Sequence, residues 1–144
     1  MKIKGLMPYI WNKSVPIFMP TSRLGTQWPS LGTKCTIVGW GCTQRGGDEV
    51  STALVVELEV ASDQFCYTVY RVDLKYEFCA GYHNLSKGIC SGDSGGGLIC
   101  ERHGMKTIAG VSSGAHTWEP ESFPSIFARV PPVIDWIRTQ TAQD

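Results

Sequence analysis

The stretch TALVVELEVAS, residues 52–62, sets Leu54, Val56, Leu58 and Val60 on alternate positions, with Val55, Glu57 and Glu59 between them. A period of two marks a strand with one buried and one wet face. Five further short segments are rich in β-branched and aromatic residues: TKCTIVGW (33–40), EFCAGY (77–82), GGLICE (96–101), KTIAGVSS (106–113) and SIFARV (125–130). Turn-forming clusters separate them, QRGGDE, NLSKG, ERHG and EPESFP. Only the end reads as a helix. After Pro131 and Pro132, suited to a first turn, VIDWIRTQTA puts Val133, Ile134 and Ile137 at helical spacing. The pattern is all-β, an antiparallel barrel or sandwich with a C-terminal helix. It divides into a proline-rich connector (1–32), a strand-rich body (33–130) and the helix (131–141), with no internal repeat and no second domain boundary.

At 144 residues, 42% hydrophobic and 18% charged, the chain can bury one real core. Lys+Arg and Asp+Glu both number 13 and neither sign clusters, so the electrostatic footprint of a nucleic-acid partner is missing. No apolar run approaches a membrane span. The six cysteines form no CxxC pair, so neither a metal nor another cofactor is expected. Their even count in a strand-rich chain fits an oxidising, secreted setting, as do the sequons Asn12-Lys13-Ser14 and Asn84-Leu85-Ser86. The start, MKIKGLMPYIWNKS, is interrupted by Pro8 and is not a secretory leader, so the expectation is either no export or a chain that begins within a longer precursor.

The chemistry concentrates in GICSGDSGGGLIC, residues 88–100. A serine hydroxyl needs a base to take its proton, and the oxyanion it creates needs donors already in place. Gly92 lets the backbone turn so that the N–H groups of Gly92 and Ser94 converge, and Gly95 and Gly96 keep side chains away from an acyl group. Taken alone, such a loop also fits a phosphate nest or an ordinary tight turn.

The longer pattern is more specific. GDSGG after Cys90, TKCTIVGWG upstream, FCAG between them and FARV with DWI at the end resemble the trypsin/chymotrypsin-like serine proteases, in that family's order, over about residues 9–138. The resemblance implies the second, six-stranded Greek-key barrel of a two-barrel fold and cleavage of a polypeptide substrate. It makes Ser94 the nucleophile, Gly92 and Ser94 the oxyanion hole, and Asp93 the carboxylate that meets a newly cut amino terminus during zymogen activation. It puts Gly88 at the base of the specificity pocket and Ile89, Ser91, Ser112, Ser113, Gly114 and Ser125 around it. Glycine at 88 cannot select Lys or Arg, so an apolar or modest side chain is expected. Ser113 replaces the usual tryptophan and Gly97 the usual proline. The resemblance pairs Cys35 with Cys100 and Cys66 with Cys79, loops worth about 4 and 3 kcal/mol in the chain-entropy picture. Cys42 and Cys90 either replace a missing bridge or stay free thiols.

The rest of the triad has no match. His83, His103 and His116 occupy loop contexts and none has the family's histidine motif. Asp48, Asp63, Asp73 and Asp135 are likewise out of context, and Met1-Lys2-Ile3-Lys4 resembles the strand just after the family's aspartate. The expectation is a half-enzyme whose partner is the missing N-terminal barrel, inactive alone, with an apolar face exposed, Asp93 unpaired and its loop collapsed or disordered. The alternatives are a protease-like binding module without catalysis, or a truncated product.

Overall fold

The structure is a computed structural model that describes residues 8–10, 13–83, 88–120 and 122–142. Six antiparallel strands form one sheet: β1 (Lys34–Gly39), β2 (Leu54–Glu59), β3 (Glu77–Ala80), β4 (Gly97–Arg102), β5 (Met105–Gly114) and β6 (Ser125–Arg129). Their order is β2-β1-β4-β5-β6-β3. The two edge strands then meet. Val60 bridges Ala80, Ala61 N–H donates to the Cys79 carbonyl, and Gly81 N–H donates to that of Glu59. The sheet thereby curls into a barrel whose β3–β4 connection is the Greek-key crossover.

The alternation read in residues 52–62 deepens along the strand. Leu58 and Val60 are buried and Val56 is half-buried, while Leu54 and Val55 remain exposed. Inside, Ile37, Leu58, Phe78, Leu98, Ala109 and Phe127 make the core. A disulfide cross-links it at Cys35–Cys100, between paired positions of β1 and β4, and Cys66–Cys79 lies in a second buried cluster with Val72.

One element differs from the sequence reading. Asp63–Tyr70 is an α-helix, α1, capped by the Ser62 hydroxyl accepting from Phe65 N–H at 3.1 Å and ended by Arg71 in the left-handed conformation (φ 56°). Its Cys66 is anchored to β3 by the disulfide, so tertiary attachment overrides the weak local propensity of Tyr, Thr and Val. The terminal helix α2 (Ile134–Thr141) follows a 3-10 turn at Pro131–Val133 and buries Ile134.

The connector packs on the barrel. Phe18 exchanges backbone hydrogen bonds with Lys106 and Ile108 beside β5. Trp28 is buried, and the buried Arg129 of β6 donates to the carbonyls of Thr26 and Trp28, both at 3.2 Å. Its guanidinium also lies over Phe78 and 3.7 Å from Asp63, and burial lowers its pKa. Met1–Lys4 and both sequon asparagines lie outside the described residues.

Candidate active site

The Ser94 turn hangs between β1 and β5. Asp93 N–H donates to the Cys90 carbonyl, Gly96 N–H to the Asp93 carbonyl, Gly95 N–H to the carbonyl of Ser112 in β5, and Ser112 N–H to the Gly96 carbonyl. Cys42 N–H donates to the Ser91 carbonyl, and a disulfide joins Cys42 to Cys90. All six cysteines are therefore paired.

The Asp93 carboxylate is not left unpaired. Gly41 N–H donates to Oδ1 at 2.8 Å and Cys90 N–H to Oδ2 at 3.0 Å, so two backbone donors hold the negative charge and the loop is a defined turn. The expectation of an unpaired Asp93 in a disordered loop is corrected on that ground. The carboxylate lies directly against Gly39 and Gly41, where any Cβ would collide with it. Asp93 also lines a cleft of about 290 Å³, mixed in polarity, with Ile37, Val55 and Ile89 on one hand and Thr43, Gln44 and Arg45 on the other.

Ser94 is exposed, and among the described residues neither its hydroxyl, its N–H nor the N–H of Gly92 makes a hydrogen bond. Gly92 has φ +97°, so position 92 needs glycine for its conformation, while a Cβ there would meet only the movable end of the exposed Glu49 side chain. Ser112 sits beside this turn with its hydroxyl buried and unpartnered among the described residues.

A second cleft, of about 310 Å³, brings Ser94 together with Ile89, Ser91, Gly114, His116 and Arg45. Gly88 does not line it with them. Its Cβ direction is filled by the Pro120 carbonyl at 2.6 Å, and it faces the Asp93 cleft instead. Ser125 is fully buried, with its hydroxyl accepting from Ile89 N–H at 3.3 Å, and Ser113 is exposed. Arg45 escaped the sequence reading as a cleft residue because it sits on a separate loop. His116 accepts from Glu119 N–H through Nδ1 at 3.1 Å and stacks on Phe123 at 4.2 Å. With Nδ1 accepting, the neutral ring carries its proton on Nε2.

The trypsin family model matches residues 12–137. The chain belongs to the trypsin family. It is 33% identical over 126 residues to hepatocyte growth factor activator serine proteases of Mus musculus and Homo sapiens, covering 85% of this chain and 19% of each relative. A solved structure described as GrC superimposes with a TM-score of 0.75 and 27% identity, over 90% of this chain and 54% of that one. This trypsin-family chain thus spans about a fifth of the curated relatives it matches and about half of that solved structure. Among its described residues, no helix is long and apolar enough to cross a membrane.

Proposed function

We propose that this chain carries the nucleophile-bearing half of a secreted serine endopeptidase. Ser94 attacks the peptide carbonyl, the N–H groups of Gly92 and Ser94 receive the oxyanion, and the histidine and aspartate belong to a first barrel outside this sequence. The observation that carries this reading is the set of three uncommitted groups, Gly92 N–H, Ser94 N–H and Ser94 Oγ, at the tip of a turn fixed by a disulfide and an aspartate.

As the Ser94 oxygen attacks, its proton must leave, and among the described residues nothing accepts it. A lone serine beside an oxyanion hole then retains only a small fraction of full catalysis. The buried Ser112 hydroxyl offers a donor to a polar group supplied by the missing half. In this reading Asp93 is the activation carboxylate. The aliphatic residues of its cleft, Ile37, Val55 and Ile89 among them, suit an amino terminus that carries an aliphatic first side chain, and the incoming ammonium would exchange neutral donors for a charge. Ile89, Ser91, Gly114 and the Ser112–Ser113 edge border the substrate, while Gly88 and Ser125 act behind them.

The test supplies the absent base chemically. The 144-residue chain is treated with a fluorophosphonate probe, with and without imidazole. Slow labelling, accelerated by imidazole and abolished in Ser94→Ala, is expected. Robust peptide cleavage by the chain alone, or no imidazole-dependent labelling, would overturn the half-enzyme reading. Absence of labelling even in a polypeptide carrying a first barrel would favour a binding module.

A further inference from the structure

The Ser94 cleft has an unusual charge balance. Arg45, on the loop after Cys42, extends across to the loop at 115–120: its guanidinium lies 4.7 Å from the Trp118 ring centroid and one Nη donates to the Trp118 carbonyl at 3.3 Å. It forms no ion pair among the described residues and lines the cleft with Ser91, Ser94 and His116. A guanidinium has five N–H donors, so most of Arg45's remain free for a ligand. The Nε2–H of His116 and the hydroxyl of Ser91 add further donors, and no carboxylate lines the cleft among the described residues. Acceptors carrying negative charge are what this lining lacks. The floor cannot supply one through position 88, because the Pro120 carbonyl occupies that direction.

We propose that the cleft beside Ser94 selects an acidic side chain, Asp or Glu, at the substrate residue whose carbonyl Ser94 attacks, with Arg45 as the selecting group. The inference rests on Ser94 being the nucleophile and replaces the apolar preference that glycine at 88 suggested. A lysine or arginine side chain meets the Arg45 charge with no carboxylate in the cleft lining to offset it, and a neutral side chain leaves the free guanidinium N–H groups without a charged acceptor. A carboxylate pairs with it through planar, charge-assisted hydrogen bonds. Trp118 holds the guanidinium in place before substrate arrives, so less side-chain freedom is lost on binding. His116 is held from two sides, by Phe123 stacking and Glu119 N–H, and offers a rigid second wall.

The experiment titrates the full chain by calorimetry or NMR with three peptides, N-acetyl-Ala-Ala-Asp-amide and its Asn and Arg counterparts. The Asp peptide should bind about tenfold more tightly than the Asn peptide, the discrimination one charge-assisted contact carries, and the advantage should shrink at high salt. Arg45→Gln, a change on an exposed loop, should bring Asp and Asn to parity. Ser94→Ala should keep the preference, which separates this inference from the chemistry of the serine. Equal or tighter binding of the Asn or Arg peptide, an Asp preference that survives Arg45→Gln, or no binding of any peptide would each overturn it. A preserved, Arg45-dependent Asp preference in a protein whose Ser94 never labels would leave this site standing and refute the protease reading instead.

Discussion

Gly41→Ala offers a sharp test of how the Ser94 turn is held. A methyl at position 41 would lie 2.7 Å from Asp93 Oδ1 and 2.5 Å from its Cγ, and its nearest neighbours all belong to that short carboxylate. The carboxylate must move, and both of its backbone donors, Gly41 N–H at 2.8 Å and Cys90 N–H at 3.0 Å, lose their acceptor. Hydrogen bonds to a charged group contribute about 1.5–3 kcal/mol each. Asp93 is only half-buried, so the lower end applies and the expected loss is about 2–4 kcal/mol. Asp93→Ala removes the same two bonds and should cost a similar amount. The double variant should then cost scarcely more than either single one, with a coupling energy of about 2–4 kcal/mol, because the methyl no longer meets a carboxylate. Urea unfolding with the disulfides intact reads these values, and a loss of that size moves the midpoint by about 1–2 M. Hydrogen exchange at Gly41 and Cys90 should rise in both single variants. Additive losses in the double variant, or Gly41→Ala at full stability, would refute the reasoning.

Three further outcomes follow from the same structure. Arg129→Met should cost about 2–4 kcal/mol by stranding the carbonyls of Thr26 and Trp28, and limited proteolysis should quicken at Arg23 in the loosened connector. Burial pushes the Tyr70 phenol up to about 12, so the folded state resists ionising where the unfolded state does not. Stability should be flat below about pH 10 and fall as pH climbs toward 12, a slope that thermal melts should find reduced in Tyr70→Phe. Gly88→Asp should destabilise by about 1–3 kcal/mol through collision with the Pro120 carbonyl and should create no affinity for Lys or Arg peptides, checked by melting and by the titration above.

The strands were legible because their apolar period and turn punctuation survive in short stretches, as Leu58 and Val60 beside Glu57 and Glu59 illustrate. Helix α1 was not, since Tyr67, Thr68 and Val69 favour strands locally and only the Ser62 cap and Asp63 in the first turn signalled otherwise. The Ser94 turn could be found from its glycines and the resemblance they carry. Its support by Gly39 and Gly41 could not, because close approach of a carboxylate to a backbone more than fifty residues away leaves no periodic trace. Arg45 stayed hidden for the same reason: a cleft wall built from two loops is a tertiary fact.

The cross-links described above have a consequence for how an active protein could be put together. Every thiol in the chain already has its mate inside the chain. On the proposed reading, oxidative maturation can finish without a first barrel, and no sulfur would be owed to one. Joining two such halves would be a reversible encounter governed by concentration and surface fit, open to competition and to dilution, unless a peptide linkage holds them side by side.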